Sequence, residues 1–141
     1  MLTFHVDIVS SEKEIFSGTA HRLSAPTELG EIGILARHAP MLSRLRPGLV
    51  SVILEPDSEE FFFVSSGFLE VQPHIVTVLA DTVLRTPELD DASARAALAR
   101  KEEEMKLGVG EADYNHFKAE LQIEAALLRS IEQLRIRGRG R

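Results

Sequence analysis

The chain has 141 residues, 44% of them apolar and 27% charged, with a formal net charge of −6. That composition belongs to a globular chain able to bury a core and excludes an intrinsically disordered one. The absence of cysteine excludes a disulfide framework and a thiolate metal site, and the acidic balance weighs against wholesale binding to nucleic acid or anionic lipid.

The charge is uneven. Residues 1–86 hold 6 basic and 11 acidic side chains, whereas residues 87–141 hold 10 and 11 and are far more densely charged. Every apolar run falls short of the roughly 20 residues that a membrane span needs. The N-terminus carries no basic region followed by a hydrophobic stretch, so the expectation is a chain neither exported nor integral to a membrane.

Over about residues 2–84 the apolar positions recur with period two, as in Leu2, Phe4, Val6 and Ile8 and again over 71–79, with β-branched and aromatic enrichment. Turn signals interrupt the pattern at Ser10-Ser11, Ser17-Gly18, Pro26-Thr27, Pro56-Asp57-Ser58 and Pro73-His74. Short strands between such turns predict an antiparallel β-sandwich or barrel, and residues 1–86 suffice for the two small sheets of a sandwich. Phe61, Phe62 and Phe63 are consecutive, so alternation sets Phe62 on the face opposite its neighbours. At least one ring must meet something outside a single core, either a covering loop that leaves both faces buried or a partner.

Residues 30–42, Gly30-Glu31-Ile32-Gly33-Ile34-Leu35-Ala36-Arg37-His38-Ala39-Pro40-Met41-Leu42, place two glycines, an acid, a histidine and a proline in an otherwise apolar segment. Gly30 and Gly33 permit close backbone approach or positive φ, while Ile32, Ile34 and Leu35 supply burial. Pro40 removes a donor and biases Ala39 toward an extended conformation. The expectation is a rigid loop flanked by strands and shaped for a partner.

After Arg85-Thr86-Pro87 the period changes, and no glycine or further proline occurs before Gly108. Pro87 makes a hinge, Asp90 an N-cap, and Ala92, Ala94, Ala96, Ala97, Leu98 and Ala99 predict a helix to about Lys106. Leu107-Gly108-Val109-Gly110 breaks it. Glu111 and Asp113 suit the positive end of a second helix, along which Tyr114, Phe117, Leu121, Leu128 and Ile131 form an apolar stripe. A helix of about 25 residues would reach roughly 37 Å. The short link predicts an antiparallel two-helix hairpin over residues 87–141, with a seam of alanines plus Leu98 and Met105. So little apolar area leaves such a hairpin marginally stable by itself.

The histidines are His5, His21, His38, His74 and His116, and none has a second histidine or cysteine at metal-ligand spacing. His38 lies inside the 30–42 run, where its ring either hydrogen-bonds a loop backbone or touches a partner. No nucleophile and carboxylate stand in a recognisable arrangement around it. Glu31 reads as a solvated turn carboxylate on a generic sandwich. The chain has no Gly-x-x-x-x-Gly-Lys-Ser/Thr phosphate loop, which argues against nucleotide hydrolysis by this chain alone. The end, Arg135-Ile136-Arg137-Gly138-Arg139-Gly140-Arg141, is cationic and broken by glycine, so fraying is expected. With an acidic body and no aromatic interleaving, it is a poor nucleic-acid site.

Four motifs stand in order: the 30–42 run, Leu45-Arg46-Pro47-Gly48, Ser65-Ser66-Gly67-Phe68-Leu69-Glu70-Val71, and Val76-Thr77-Val78-Leu79-Ala80-Asp81-Thr82. With the helical tail behind them, they resemble the epsilon subunit of F-type rotary ATP synthases over essentially the whole chain. Two departures stand out. Ser66-Gly67 replaces a frequent glycine pair, and Ala36-Arg37 occupies a position where Pro-Gly is common.

The resemblance implies a non-catalytic central-stalk subunit of a proton-translocating ATP synthase, with no cofactor and no metal. Its sandwich would bind the gamma subunit on one surface and the c-ring on another, using Gly30, Glu31, Ile32, Gly33, His38, Ala39, Pro40 and Met41. Glu31 would then meet the polar loops of the c-ring. The hairpin would be a two-state element, permitting ATP hydrolysis when folded on the sandwich and blocking rotation when extended along gamma into the alpha/beta hexamer. Arg129, Arg135, Arg137, Arg139 and Arg141 would pair there with acidic loops of the catalytic subunits. Some bacterial relatives bind ATP through Ile/Leu-Asp-x-x-Arg-Ala. Here Asp90 and Arg95 are five residues apart instead of three and no longer face one another, so a cap and a solvated side chain are the plainer reading. The implied place is the cytoplasmic face of a bacterial inner membrane, peripherally, since no transit peptide is seen. The rival readings are a free-standing β-sandwich that binds a small ligand and dimerises through its helices, and a scaffold that recruits partners through the cationic helix.

Overall fold

The computed structural model describes residues 2–55, 58–85, 95, 98–100, 102–103 and 111–139, without the side chains of residues 55, 111–117 and 137–139. The chain divides into two compact units, Met1–Glu88 and Leu89–Arg141.

The first unit holds ten strands: β1 (Phe4–Ser10), β2 (Glu14–Ala20), β3 (Arg22–Thr27), β4 (Gly30–Ile34), β5 (Met41–Leu45), β6 (Gly48–Glu55), β7 (Ser58–Val64), β8 (Gly67–Val71), β9 (Ile75–Ala80) and β10 (Val83–Arg85). Their order is β10-β7-β6-β3-β5-β8-β9-β1-β2, with β4 on β3. β3 meets β5 through one pair, Thr27 with Leu45, and meets β6 further along, where Ser24 faces Ser51. β5 and β6 thus follow each other along one edge of β3, and Arg46-Pro47 is the corner at which the sheet turns from one layer into the other. The layers are β4-β3-β6-β7-β10 and β5-β8-β9-β1-β2.

Alternation fills the space between them. Val6 and Ile8 of β1, Leu23 of β3, Val50 and Val52 of β6, Phe62 and Val64 of β7, Leu69 and Val71 of β8, and Val76 and Val78 of β9 belong to one buried cluster. Phe62, 1% exposed, lies in it with the Phe16 ring tilted against it at a centroid distance of 5.5 Å. Phe63 lies outside this cluster yet is only 2% exposed, and Phe61 is half-buried. The phenylalanine run therefore has a buried ring on each face of β7, Phe62 on one and Phe63 on the other.

Three expectations are corrected. The sandwich is antiparallel except between β1 and β9, which run parallel with His5 opposite Ile75 and Ser10 opposite Ala80. No hairpin links strands so far apart in sequence, so nothing local dictates their direction. Ser17-Gly18 lies inside β2, and Pro26 inside β3 opposite Glu31, so neither is a turn. Proline is tolerated there near the strand end, where its carbonyl accepts from Arg46 N–H at 2.9 Å.

In the second unit the backbone is helical at Arg95, 98–100 and 102–103 and again over one long helix, Glu111–Arg139, of 29 residues. Ala126, Ser130 and Ile131 are its buried positions, with Leu121 and Leu128 half-buried. The Ser130 hydroxyl donates to the Ala126 carbonyl at 2.8 Å, which lets a polar side chain occupy the buried face. The helical backbone continues past residue 135, where fraying is expected, through Gly138 to Arg139. Pro87, Asp90 and the Gly108 to Gly110 break lie outside the described residues. Among the described residues no helix is long and apolar enough to cross a membrane.

Candidate functional site: two ends and one face of the sandwich

Residues 30–42 do not form one loop. Gly30–Ile34 is β4, paired with β3 from Thr27 opposite Gly30 to Leu23 opposite Ile34. Its five residues hold the two ends of the run about 13 Å apart. Gly30 and Glu31 belong to one end of the sandwich, and His38, Ala39, Pro40 and Met41 to the other.

At the first end, Glu28 and Leu29 make the tip of the β3–β4 hairpin. The Thr27 hydroxyl donates to the Gly30 carbonyl at 2.7 Å and accepts from Leu29 N–H at 3.2 Å. Arg46 Nε donates to the Thr27 carbonyl at 2.8 Å, tying the tip to the corner between the layers. Gly30 takes φ +116°, open to glycine and hostile to other residues. Glu31 is exposed, whereas Ile32 packs on the core. Gly33 keeps space for the Arg22 guanidinium, which would lie 3.2 Å from a Cβ there.

At the other end, His38 N–H donates to the Leu35 carbonyl at 3.2 Å and closes a turn, and Arg37 N–H donates to the Pro73 carbonyl at 2.9 Å. Arg37 adopts φ +66°. The His38 ring lies 2.7 Å from the Ala39 carbonyl through Nδ1, the loop-backbone bond that was one of its two expected roles. Ala39 and Pro40 are exposed, and Met41 packs on the core.

Sequence reasoning missed the outer face of the β5-β8-β9-β1-β2 layer. Arg44, Phe68, Leu79 and Val9 stand opposite one another across four strands. The Arg44 guanidinium lies over the Phe68 ring, 5.7 Å from its centroid. Leu42 is 69% exposed in the adjacent row, and Phe68 and Leu79 are exposed as well. Val9, Arg44, Phe68 and Leu79 edge a cleft of about 470 Å³ that Glu28 and Asp81 also line. The signal was present: strand parity sends Leu42, Phe68 and Leu79 away from the core, where a solvated sheet would carry polar side chains.

On the same face Ser17 Oγ donates to Asp7 Oδ1 at 2.8 Å, and His5 Nε2 lies 2.8 Å from that oxygen and 3.1 Å from Ser17 Oγ. The Ser17 hydrogen bond is the main cause holding the Asp7 carboxyl below its ordinary range, with His5 adding to it and burial opposing. Histidine, aspartate and serine together suggest a nucleophilic triad, but one imidazole nitrogen faces both partners. A base oriented by a carboxylate needs the two on opposite ring nitrogens. The cluster is an exposed hydrogen-bond network. Among the described residues no three His, Cys, Asp or Glu side chains converge to hold a metal.

In the second unit Arg95 is helical and exposed, while its proposed companion Asp90 is outside the described residues. Arg129 and Arg135 are exposed on the long helix. Arg137 and Arg139 continue its backbone, and Arg141 is outside the described residues.

Comparison with known proteins agrees with this architecture. The family described as ATP synthase, Delta/Epsilon chain, beta-sandwich domain matches residues 3–86. The ATP synthase epsilon chain of Nitrosococcus oceani is 51% identical over 134 residues, covering 95% of this chain and 96% of that one. The epsilon chain of Halorhodospira halophila is 49% identical over 140 residues, covering 99% of each. Among solved structures, a chain of the Euglena gracilis mitochondrial ATP synthase superposes with a TM-score of 0.79 at 21% identity, covering 89% of this chain and 79% of that one. A chain from the central stalk and c-ring of the Tetrahymena thermophila enzyme gives 0.60 at 15% identity, covering 94% and 96%. With a family match over the sandwich and half of all residues shared along nearly the full length, the chain belongs to the ATP synthase epsilon chain family.

Proposed function

We propose that this chain is a non-catalytic subunit of the ATP synthase central stalk, joining the gamma subunit to the c-ring so that the three turn together. Transmitting torque requires two docking surfaces fixed relative to one another, and a close-packed sandwich supplies that rigidity. The outer face bearing Leu42, Phe68 and Leu79 is the gamma-binding surface in this reading, continued by His38, Ala39, Pro40 and Met41. The β3–β4 hairpin, with Gly30, Glu31, Ile32 and Gly33, is the ring-facing surface. The exposure of Leu42, Phe68 and Leu79 on one face carries the reading, since a monomeric sandwich gains nothing from apolar side chains there. Retrieval of both gamma and the c-ring from solubilised membranes by the full chain is the expected result, and failure to retrieve either would overturn it.

The second unit acts as the regulatory element, resting against the sandwich in one state and reaching the alpha/beta hexamer in the other, where the arginines of the long helix meet acidic loops. A gap of a few kcal/mol between the states suffices for a partner to shift them. Removal of residues 88–141 from the assembled enzyme is expected to raise ATP hydrolysis, and unchanged hydrolysis would exclude inhibition by this unit. The subunit works peripherally, at the cytoplasmic face of a bacterial inner membrane. Nucleotide binding through Asp90 and Arg95 is not favoured, and calorimetric titration of ATP into the purified chain checks it by an expected absence of heat.

A further inference from the structure

Leu29 stands at the tip of the β3–β4 hairpin and is 92% exposed, in a turn of the kind that ordinarily carries Gly, Asn or Asp. The tip is fixed from three sides. Thr27 Oγ1 bridges Leu29 N–H and the Gly30 carbonyl, Arg46 Nε holds the Thr27 carbonyl, and Glu28 N–H donates to the Arg44 carbonyl at 3.1 Å. The space around Gly30 is open, with nothing within 4 Å of where a Cβ would stand. An isobutyl group is thus held outward on a rigid knob, flanked by the exposed carboxylates of Glu28 and Glu31.

We propose that Leu29 is the apolar anchor of the ring-facing surface, seated in an apolar recess of the ring whose edge carries lysine or arginine side chains. The proposal rests on the reading of this hairpin as ring-facing. An anchor already held in place loses little freedom on binding. An apolar centre surrounded by charge excludes water from the contact it makes, and acidic flanks set register against a basic edge.

The test titrates the full chain against purified, detergent-solubilised c-ring at low and high salt. Leu29→Ala is expected to weaken binding roughly ten- to hundred-fold at both salt concentrations, the loss of a buried leucine side chain. Leu29→Met, which conserves volume, is expected to stay within about threefold of the wild type. Glu28→Gln is expected to cost less, and only at low salt. Because Leu29 touches little of its own chain, Leu29→Ala leaves the unfolding midpoint where it was, so a binding loss cannot come from misfolding. If the wild type binds and Leu29→Ala binds equally well, the anchor is wrong while the ring-facing reading stands. If the wild type ignores the ring yet still retrieves gamma, the ring-facing assignment falls and the anchor with it.

Discussion

The two ends of β4 solve one backbone problem differently. Each needs a residue at positive φ to reverse the chain, and at the hairpin tip Gly30 meets φ +116° without strain. At the far end Arg37 meets φ +66° with a full side chain, at a cost of about 1–2 kcal/mol. Two hydrogen bonds, Arg37 N–H to Pro73 and His38 N–H to Leu35, hold it there. Gly67 is a third case, since at φ +152° a Cβ would also collide with the Leu79 carbonyl oxygen and lie 2.7 Å from Ala80 Cα. Gly30 is needed for its angle alone, Gly67 for angle and space together, and Arg37 retains a guanidinium where glycine would be easier.

Substitutions rank these cases. Gly67→Ala should destabilise the chain by about 3 kcal/mol or more, because backbone rather than a movable side chain blocks the new methyl. Urea unfolding of the full chain reads this directly, and a loss no larger than that of Gly30→Ala would refute the distinction. Gly30→Ala carries only the angular cost, about 1–2 kcal/mol, as nothing surrounds its Cβ. Arg37→Gly should stabilise by up to about 1 kcal/mol, the relief of strain less the extra entropy of glycine in the unfolded chain. A lowered melting temperature would show that Arg37 contributes contacts exceeding its strain.

The smallest effect is a control outside the backbone. The Asp7 carboxyl is depressed on folding, chiefly by Ser17, so it stabilises the chain above the unfolded carboxylate pKa and ceases to do so as pH falls through the lowered folded value. Asp7→Asn should therefore be less stable than the wild type at neutral pH, and the difference should begin to fade as pH drops below about 4. A difference that persists unchanged in acid would mean that the amide disturbs the Ser17 and His5 network by shape instead of charge.

Period-two alternation made the strands legible, and with them the placement of Phe62 inside and Phe63 on the opposite face. It could not reveal that 30–34 is a strand, because two glycines and an acid read locally as a loop. What makes β4 a strand is its pairing with β3, and what makes Pro26 a strand residue is the same ladder. The direction of β1 against β9 was equally hidden, since it depends on residues some seventy positions apart. At the site, the exposure of Glu31 agrees with its reading as a solvated carboxylate, yet Gly30 and Glu31 were grouped with His38 and Met41, which the length of β4 keeps apart. Leu42, Phe68 and Leu79 were overlooked because apolar residues in strands look like core until parity is counted across three neighbours.

The parallel alliance of β1 with β9 also dictates when this molecule can take shape during its own synthesis. The first strand leaves the ribosome early but has its inner edge unsatisfied until some seventy further residues have been translated, and contacts so distant in sequence form slowly. The apolar outer face is built from β1, β5, β8 and β9, so it exists only once the last of these has emerged. A nascent chain consequently cannot present this face halfway: whatever docks there must wait for a completed sandwich.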